Sequence, residues 1–391
     1  MDPLPSNPDG LQGTVKNRNR FDRMEWAGAF GDLGTLIPFV VAYIAVLKIE
    51  PIGILFSFGA AMLICGLYYK TPFPVQPMKA IGAVAATQAA QTAVITQGAV
   101  YSAGLVTGAI WLILGLTGAA TRIAKIVPRT VVIGIVLGLG MSFMLEGIRM
   151  MNTDWLIAAI GLAGTLLLLT NRVVPVMFLL LFFGAACALI QGDAMEALRS
   201  LKFEVRMPSL AFSHISGYDF AVGAILLALP QLPLTLGNAV IAITEENNRL
   251  FPDRPVTERS VAISTGIINL GGAAIGGVPV CHGAGGMAGH VAFGARTGGA
   301  PVILGTILLC LALFFSGSIA AILAIFPRAV LGIILFFTGA QLALGSCDFS
   351  KNKAERFITL ATAGFSMWNV GLAFIVGLAL SFLLKRGRLR I

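Results

Sequence analysis

Two proline- and glycine-rich stretches interrupt the apolar segments of this chain. The first, TPFPVQPMK at residues 71–79, has three prolines within six positions, and the second, GGVPVCHGAGG, occupies residues 276–286. Proline fixes φ and removes a backbone donor, so neither stretch continues a helix from the preceding segment. Pro77 suits the first position of a new helix. Each stretch is therefore predicted to be extended first and to begin a half-helix afterwards.

The composition of the whole chain is that of a membrane protein. Of the 391 residues, 57% are hydrophobic and only 12% are charged, which is about half the charged share of a soluble domain. The mean hydropathy is +0.88. Lipid is the natural solvent for such a sequence, because spans of about 20 apolar residues form transmembrane helices. The composition predicts an all-α polytopic membrane protein.

Fourteen hydrophobic segments follow one another along the chain. Segments 3 and 10 are too short to cross a bilayer alone, and each follows one of the two interrupted stretches. The segments lie near residues 26–47, 51–69, 77–92, 98–121, 129–148, 154–170, 173–191, 218–244, 258–275, 283–293, 299–325, 328–346, 355–369 and 371–384.

The basic residues predict the orientation of these spans. Fourteen spans place both termini on one side, and with that side as the cytoplasm, 20 of the 27 Lys and Arg residues lie inside and Lys79 lies within the membrane. This is the positive-inside pattern, which predicts a multi-pass protein of the cell inner (plasma) membrane. The net charge of +9 does not indicate nucleic-acid binding, since the basic residues form no polar face. The six outside are Lys48, Arg149, Arg199, Lys202, Arg206 and Arg328.

The sequence repeats itself at a spacing of about 200 residues. VPRTV at 127–131 matches FPRAV at 326–330, and the match continues at Gly140 and Gly339. Because seven is odd, two seven-segment copies enter the membrane from opposite sides and form a 7+7 inverted repeat. The predicted organisation is a disordered cytoplasmic tail (1–25), the first repeat (26–191), an extracytoplasmic loop (192–217), the second repeat (218–385) and a short cytoplasmic tail (386–391).

Interrupted segments at matching positions of the two halves mark the binding site of inverted-repeat transporters. Half-helices that begin near mid-membrane direct free N–H groups and positive dipole ends at a ligand, which favours an anion. Lys79 adds a full positive charge in the first turn, and Gly283 and Gly285 allow close approach of the backbone. Asp32, inside the first span, either neutralises Lys79 or carries a coupling proton.

Other polar residues offer hydrogen bonds at the same level. Gln231 and Asn238 on segment 8 can donate to oxyanion oxygens, and His282 either donates to the ligand or caps the second half-helix. The five cysteines form no CxxC pair and the three histidines are scattered, so no disulfide, metal or cofactor is predicted. Since no nucleophile–base set occurs among the spans, the sequence does not indicate an enzyme.

These segments resemble those of a known family, the molybdate transporters related to the sulfate permeases (SulP superfamily). The resemblance covers nearly the whole chain after about Arg23. It is carried by PFPVQPMKAI at 72–81, HGAGGMAGH at 282–290 with FGARTG at 293–298, GDLGT at 31–35 and PQLPLTLGN at 230–238.

The resemblance implies a 7+7 fold with a core domain (segments 1–4 and 8–11) and a gate domain (5–7 and 12–14), without a STAS domain. It implies secondary active uptake of molybdate by alternating access, with the site between segments 3 and 10. Residues and resemblance together predict Asp32 as the coupling residue. The predicted substrate-binding residues are Thr35, Gln76, Pro77, Met78, Lys79, Gln231, Asn238, His282, Gly283, Ala284 and Gly285.

Several alternatives stay open. Sulfate and other oxyanions share the shape and charge of molybdate, so a general oxyanion transporter has the same sequence pattern. A nucleobase transporter shares the fold but usually carries carboxylates where this chain has Gln231 and the Cys281–His282 region, and an anion channel differs in being indifferent to a proton gradient. The predicted partners are the oxyanion, lipid and a coupling proton, because uptake of a dianion against a negative-inside potential requires cations. A homodimer is one option for the oligomeric state.

Overall fold

The computed structural model describes residues 18–79, 81–82, 94–168, 176–191, 195, 199, 201–211, 215–324, 327–344, 350 and 352–386. Most of the third predicted segment, at 77–92, lies outside these residues, as do most of the two predicted tails. Within the described part, helices account for nearly all regular structure and two short strands for the rest.

Most helices of the first half lie within predicted apolar segments, whereas the helix Ala119–Ile126 lies mostly between the predicted fourth and fifth segments. The Asp22 side chain caps the first helix by accepting from the N–H groups of Met24 and Glu25. A 3₁₀ turn at Phe30–Asp32 follows this helix. The helices are α1 Arg23–Ala29, α2 Leu33–Leu47, α3 Pro51–Tyr69, α4 Gln97–Leu116, α5 Ala119–Ile126, α6 Arg129–Met151, α7 Trp155–Leu168 and α8 Val176–Gln191.

The second half contains one long helix with two π-helical sections, at Gly223–Ala228 and Thr235–Ala242. The predicted eleventh segment (299–325) is not a single helix, because a 3₁₀ turn at Ser316–Ser318 interrupts it and Ser and Gly disfavour helix interiors. The helices are α9 Gly217–Leu250, α10 Glu258–Ala274, α11 Ala284–Ala292, α12 Gly299–Phe315, α13 Ile319–Ala324, α14 Arg328–Leu344, α15 Lys353–Trp368 and α16 Val370–Lys385.

Several helices have the length and composition to cross a membrane. In the described ranges these are α3, α4, α6, α9 and the stretch Gly299–Ser318, five in all, and α7, α8, α14 and most of α16 are shorter apolar helices. Large apolar side chains such as Leu167 and Phe182 are exposed on them, as expected for surfaces that face lipid. The protein is a mostly helical, multi-pass membrane protein.

The predicted N-terminal tail ends earlier than residue 25. Glu25 on α1 is fully buried; its Oε1 accepts from the Arg296 N–H at 2.9 Å and its Oε2 from the Ala300 N–H at 3.1 Å. A buried carboxylate needs such donors, and Ala300 lies in the first turn of α12, where backbone N–H groups lack helical partners. This contact orders the chain from α1 onwards.

Close helix packing in the interior relies on glycine. The main pairs are α6 with α14, α4 with α10, α3 with α12 and α15 with α6. At the α6–α14 crossing, a Cβ on Gly140 would lie 2.7 Å from the Gly339 carbonyl oxygen, and one on Gly339 would lie 2.5 Å from that of Gly140. The two glycines that match in the predicted repeat therefore contact each other.

Both interrupted stretches are extended, as predicted, and they pair. Strand β1 (Gln76–Pro77) is antiparallel to β2 (Val280–Cys281), with Gln76 opposite Cys281. The Met78 N–H extends the ladder to the Pro279 carbonyl at 2.9 Å. Non-helical backbone at membrane depth is tolerated where protein buries it, and both strands are buried.

Candidate functional site

The strand pair brings the first interrupted stretch beside the start of α11. Gly283 is the N-cap of α11, which follows β2 directly, and a Cβ on Gly283 would overlap Gln76 Oε1 and lie 3.3 Å from Asn238 Nδ2. A Cβ on Gly286 would lie 2.6 Å from that of Pro74. Only glycine permits this close approach of the two interrupted stretches.

A buried polar network joins the first span to the first interrupted stretch. Gln76 Nε2 donates to Asp32 Oδ1 at 2.6 Å and to Thr35 Oγ1 at 2.9 Å. The Thr35 hydroxyl also donates to Asp32 Oδ1. Asp32 Oδ2 and Gln76 Oε1 are buried without a hydrogen-bond partner. Three predicted site residues thus form one cluster that still has unused acceptors.

Lys79 follows β1 at the start of the first half-helix. Its ammonium nitrogen is buried without a hydrogen bond and lies 3.8 Å from the centroid of the Phe143 ring on α6. Asp32 does not neutralise it by direct contact, since Asp32 Oδ1 bonds to Thr35 and Gln76 and Oδ2 has no partner. Lys79 and Asp32 therefore interact only through their charges, without a hydrogen bond.

Gln231 and Asn238 lie on α9, both buried, but in different environments. Gln231 Nε2 donates to Thr235 Oγ1 at 3.0 Å, and its Oε1 accepts from the Ile81 N–H at 3.4 Å. Gln231 thereby holds the start of the first half-helix. Asn238 lies in a π-helical section, a feature frequent at functional sites. Its Nδ2 lies near Gly283, and its Oδ1 has no hydrogen-bond partner.

His282 is turned away from this centre. Its Nδ1 lies 2.7 Å from the Pro74 carbonyl oxygen, so Nδ1 carries the proton and donates, and its Nε2 lies 2.7 Å from Ser264 Oγ. Tyr69 donates to Ser264 at 2.8 Å. Both ring nitrogens are engaged, and α11 has no side-chain cap, so His282 does not cap this helix. It holds the extended stretch in place.

The other predicted residues, Met78 and Ala284, are fully buried beside the half-helix starts. The structure adds one residue that the sequence does not reveal, Phe143: a Cβ on Gly285 would lie 2.5 Å from its ring. A phenylalanine inside an apolar span carries no pattern that marks it. The site therefore has an aromatic wall on α6.

The arrangement suits an anion. It combines a buried ammonium, side-chain amides and the N-terminus of the nine-residue α11, all of which favour negative charge. The described residues include no group of His, Cys, Asp and Glu that could hold a metal ion.

Comparison with known families gives a match in two parts. A family model described as a molybdate transporter of the MFS superfamily matches residues 24–143 and again 223–342. The two stretches are equal in length, lie about 200 residues apart and together make up more than half of the chain. The predicted repeat has the same spacing.

Characterised relatives match over nearly the full chain. Molybdate transporter 2 of Arabidopsis thaliana is 34% identical over 412 aligned residues, which cover 92% of this chain and 87% of the relative. Molybdate transporter 1 of Arabidopsis thaliana is 31% identical, with 90% and 85% covered. Molybdate transporter 1 of Chlamydomonas reinhardtii is 29% identical, with 94% of each covered.

Solved structures with this fold are distant in sequence. The transmembrane domain of the cyanobacterial bicarbonate transporter BicA superposes with a TM-score of 0.57 at 13% identity, covering 91% of this chain and 97% of that domain. The murine anion transporter Slc26a9, solved in the inward-facing state, gives 0.61 at 12% identity, covering 96% of this chain and 70% of that one. At such identities the likeness establishes an SLC26-like fold.

Proposed function

Because this chain belongs to the molybdate transporter family, we propose that it takes up molybdate across the membrane by secondary active, alternating-access transport. It is a transporter and not an enzyme. One observation carries the proposal: the pairing of β1 with β2 supports a position of the predicted first half-helix beside α11, near the Lys79 ammonium, which has no hydrogen-bond partner.

Molybdate is a tetrahedral dianion that must lose water to bind at this depth. Replacing that water takes several donors around one point, and charge-assisted hydrogen bonds are the strong ones. Lys79, the Asn238 amide and the first N–H groups of α11 at Gly283–Gly285 are the proposed direct ligands, with Pro77, Met78 and Ala284 shaping the wall. Thr35, Gln76 and Gln231 hold these groups in place. The contacts of His282 support a structural role for it.

The proposed architecture is fourteen segments in a 7+7 inverted repeat. Three observations support it: the family model matches twice, the repeat-related glycines Gly140 and Gly339 contact each other, and the α3–α12 pair has its counterpart in the α4–α10 pair when the halves are exchanged. Segments 1–4 and 8–11 form the proposed core domain and the others the gate domain. Location in the inner membrane with both termini in the cytoplasm follows from the positive-inside pattern.

Proton coupling through Asp32 completes the proposal. Carboxylates inside membrane proteins are characteristic of proton relays, and Asp32 is one hydrogen bond from Gln76, which borders Gly283. A proton taken up by Asp32 alters the acceptor that holds Gln76, and Gln76 lies against the second half-helix. Proton and anion can therefore influence each other through a single side chain.

Binding and uptake by the purified protein test this function. Calorimetry with molybdate, repeated with excess sulfate and with a nucleobase, should give molybdate binding that neither competitor removes. Equal displacement by sulfate would make the protein a general oxyanion transporter, and binding of the nucleobase alone would refute the anion site. In proteoliposomes, uptake should follow an imposed proton gradient; flux indifferent to that gradient would indicate a channel.

A further inference from the structure

Phe143 separates the two parts of the anion site. It projects from α6 with 7% of its surface exposed, its ring centroid 3.8 Å from Lys79 Nζ. On the other side, its ring leaves no room for a Cβ on Gly285, in the first turn of α11. The ring therefore lies between the ammonium and the second half-helix, in the space where an anion held by both would sit.

The contact with Phe143 stabilises the Lys79 ammonium in this conformation. A buried ammonium without hydrogen bonds is costly, and the negative face of an aromatic ring attracts a cation most strongly where water is excluded. Lys79 Nζ has no hydrogen-bond partner, and the charge of Asp32 acts on it without direct contact. Phe143 supplies the direct contact with the ammonium.

We propose that Phe143 is a displaceable plug: its ring occupies the proposed anion position through a cation–π contact with Lys79, and the anion must move it aside to bind. This inference rests on the proposed function, in which Lys79 is an anion ligand. Lys79 and Gly285 lie in the proposed core domain and α6 in the proposed gate domain, so moving the ring couples occupancy of the site to the relative position of the two domains.

The plug predicts a specific relation between the affinities for different anions. Releasing the ring from Lys79 costs the same whichever anion replaces it. Phe143 therefore lowers the affinity for all anions by one common factor and leaves the ratio between molybdate and sulfate unchanged. A side chain that shaped the pocket would alter that ratio.

Calorimetric titration of the full-length protein tests this with molybdate and sulfate in turn. Phe143→Ala should lower the Kd of each by about 30-fold, the scale of a desolvated cation–π contact, with the ratio of the two Kd values preserved. Phe374→Ala is the matched control, since Phe374 on α16 is equally buried and packs near Gly237 instead; its Kd values should stay at those of the unmodified protein. If Phe143→Ala does not fold, Phe143→Leu removes the ring and should act in the same direction.

Three outcomes overturn the plug. One is unchanged or weaker binding in Phe143→Ala, and another is a change in the molybdate-to-sulfate ratio. The third comes from the double variant Lys79→Ala/Phe143→Ala: a further decrease in Kd relative to Lys79→Ala would show that the ring does not act through Lys79. Failure of the unmodified protein to bind any anion would instead refute the proposed function, so the two failures are distinguishable.

Discussion

The Gln76 side chain donates to Asp32 Oδ1 over 2.6 Å, which joins the 3₁₀ turn before α2 to the strand that precedes the first half-helix. Two segments of the first half, 44 residues apart, are therefore held by one amide. The same amide lies against Gly283 of the second half. Gln76 thus links Asp32 to Gly283, the N-cap of α11.

Asp32→Asn separates coupling from binding. The asparagine carbonyl oxygen still accepts from Gln76 and Thr35, but the side chain no longer exchanges a proton. Molybdate binding should remain within a few-fold of the original, whereas uptake into proteoliposomes should no longer follow an imposed proton gradient. Glu146→Gln, which alters an exposed carboxylate paired with Arg149, is the control. Proton-driven accumulation by Asp32→Asn would exclude Asp32 as the coupling residue.

Lys79→Ala should raise the Kd for molybdate by about 10- to 100-fold, because a hydrogen bond to a charged group contributes about 1.5–3 kcal/mol. Calorimetry on the purified variant measures this. Lys125→Ala removes an exposed lysine at the end of α5 and should leave the Kd unchanged. Equal affinity in a folded Lys79→Ala protein would remove Lys79 from the site.

Gly283→Ala tests the close approach of the two half-helix starts. The backbone of Gly283 has φ −74°, so alanine is tolerated conformationally and the effect comes only from its Cβ, which overlaps Gln76 Oε1. Overpacking costs about 1–3 kcal/mol, so molybdate affinity and thermal stability should both fall. Gly271→Ala on α10, whose added Cβ meets nothing within 4 Å, should preserve both. Normal binding by Gly283→Ala would mean that the strands can separate at no cost.

Gly140→Ala should destabilise the protein by about 1–3 kcal/mol, because its Cβ would press against the backbone of Gly339. Gly339→Ala should have a similar effect from the opposite side. Thermal unfolding in detergent measures both against Gly364→Ala on α15, where a Cβ meets nothing within 4 Å. An unchanged unfolding temperature for Gly140→Ala would show that α6 and α14 can move apart freely.

The sequence predicts the extended entry into both half-helices correctly, because proline restricts the backbone irrespective of its surroundings. Pro74 in the first stretch and Pro279 in the second prevent helix locally, and extended chain follows at β1 and β2. Pro77, predicted at the first position of a half-helix, lies instead in β1, because its backbone pairs with Val280 of the second stretch. Membrane spans can likewise be predicted from short stretches of sequence, because an apolar segment is stable in lipid whatever its neighbours are. These features depend on short stretches of sequence and need no knowledge of the partners.

Features that depend on contact with another segment cannot be predicted from the sequence alone. Phe143 is an apolar residue in an apolar span, and only the packing of α6 places its ring over Lys79. The sequence predicts His282 as a ligand, and only the folded structure shows that Pro74 and Ser264 contact its two ring nitrogens. The 3₁₀ turn at Ser316–Ser318 had a weak local signal, two serines and a glycine, which the long apolar run around them concealed.

Gln231 and Asn238 lie on either side of the middle of α9, which runs from Gly217 to Leu250. A dianion held at this level, inside a hydrocarbon core about 30 Å thick, has crossed about half of the transmembrane voltage. One elementary charge crossing the full voltage corresponds to about 2.3 kcal/mol per 100 mV, and two charges crossing half of it correspond to about the same energy. The resting voltage of the cell therefore acts on the loading step itself and opposes entry from outside unless positive charge accompanies the anion.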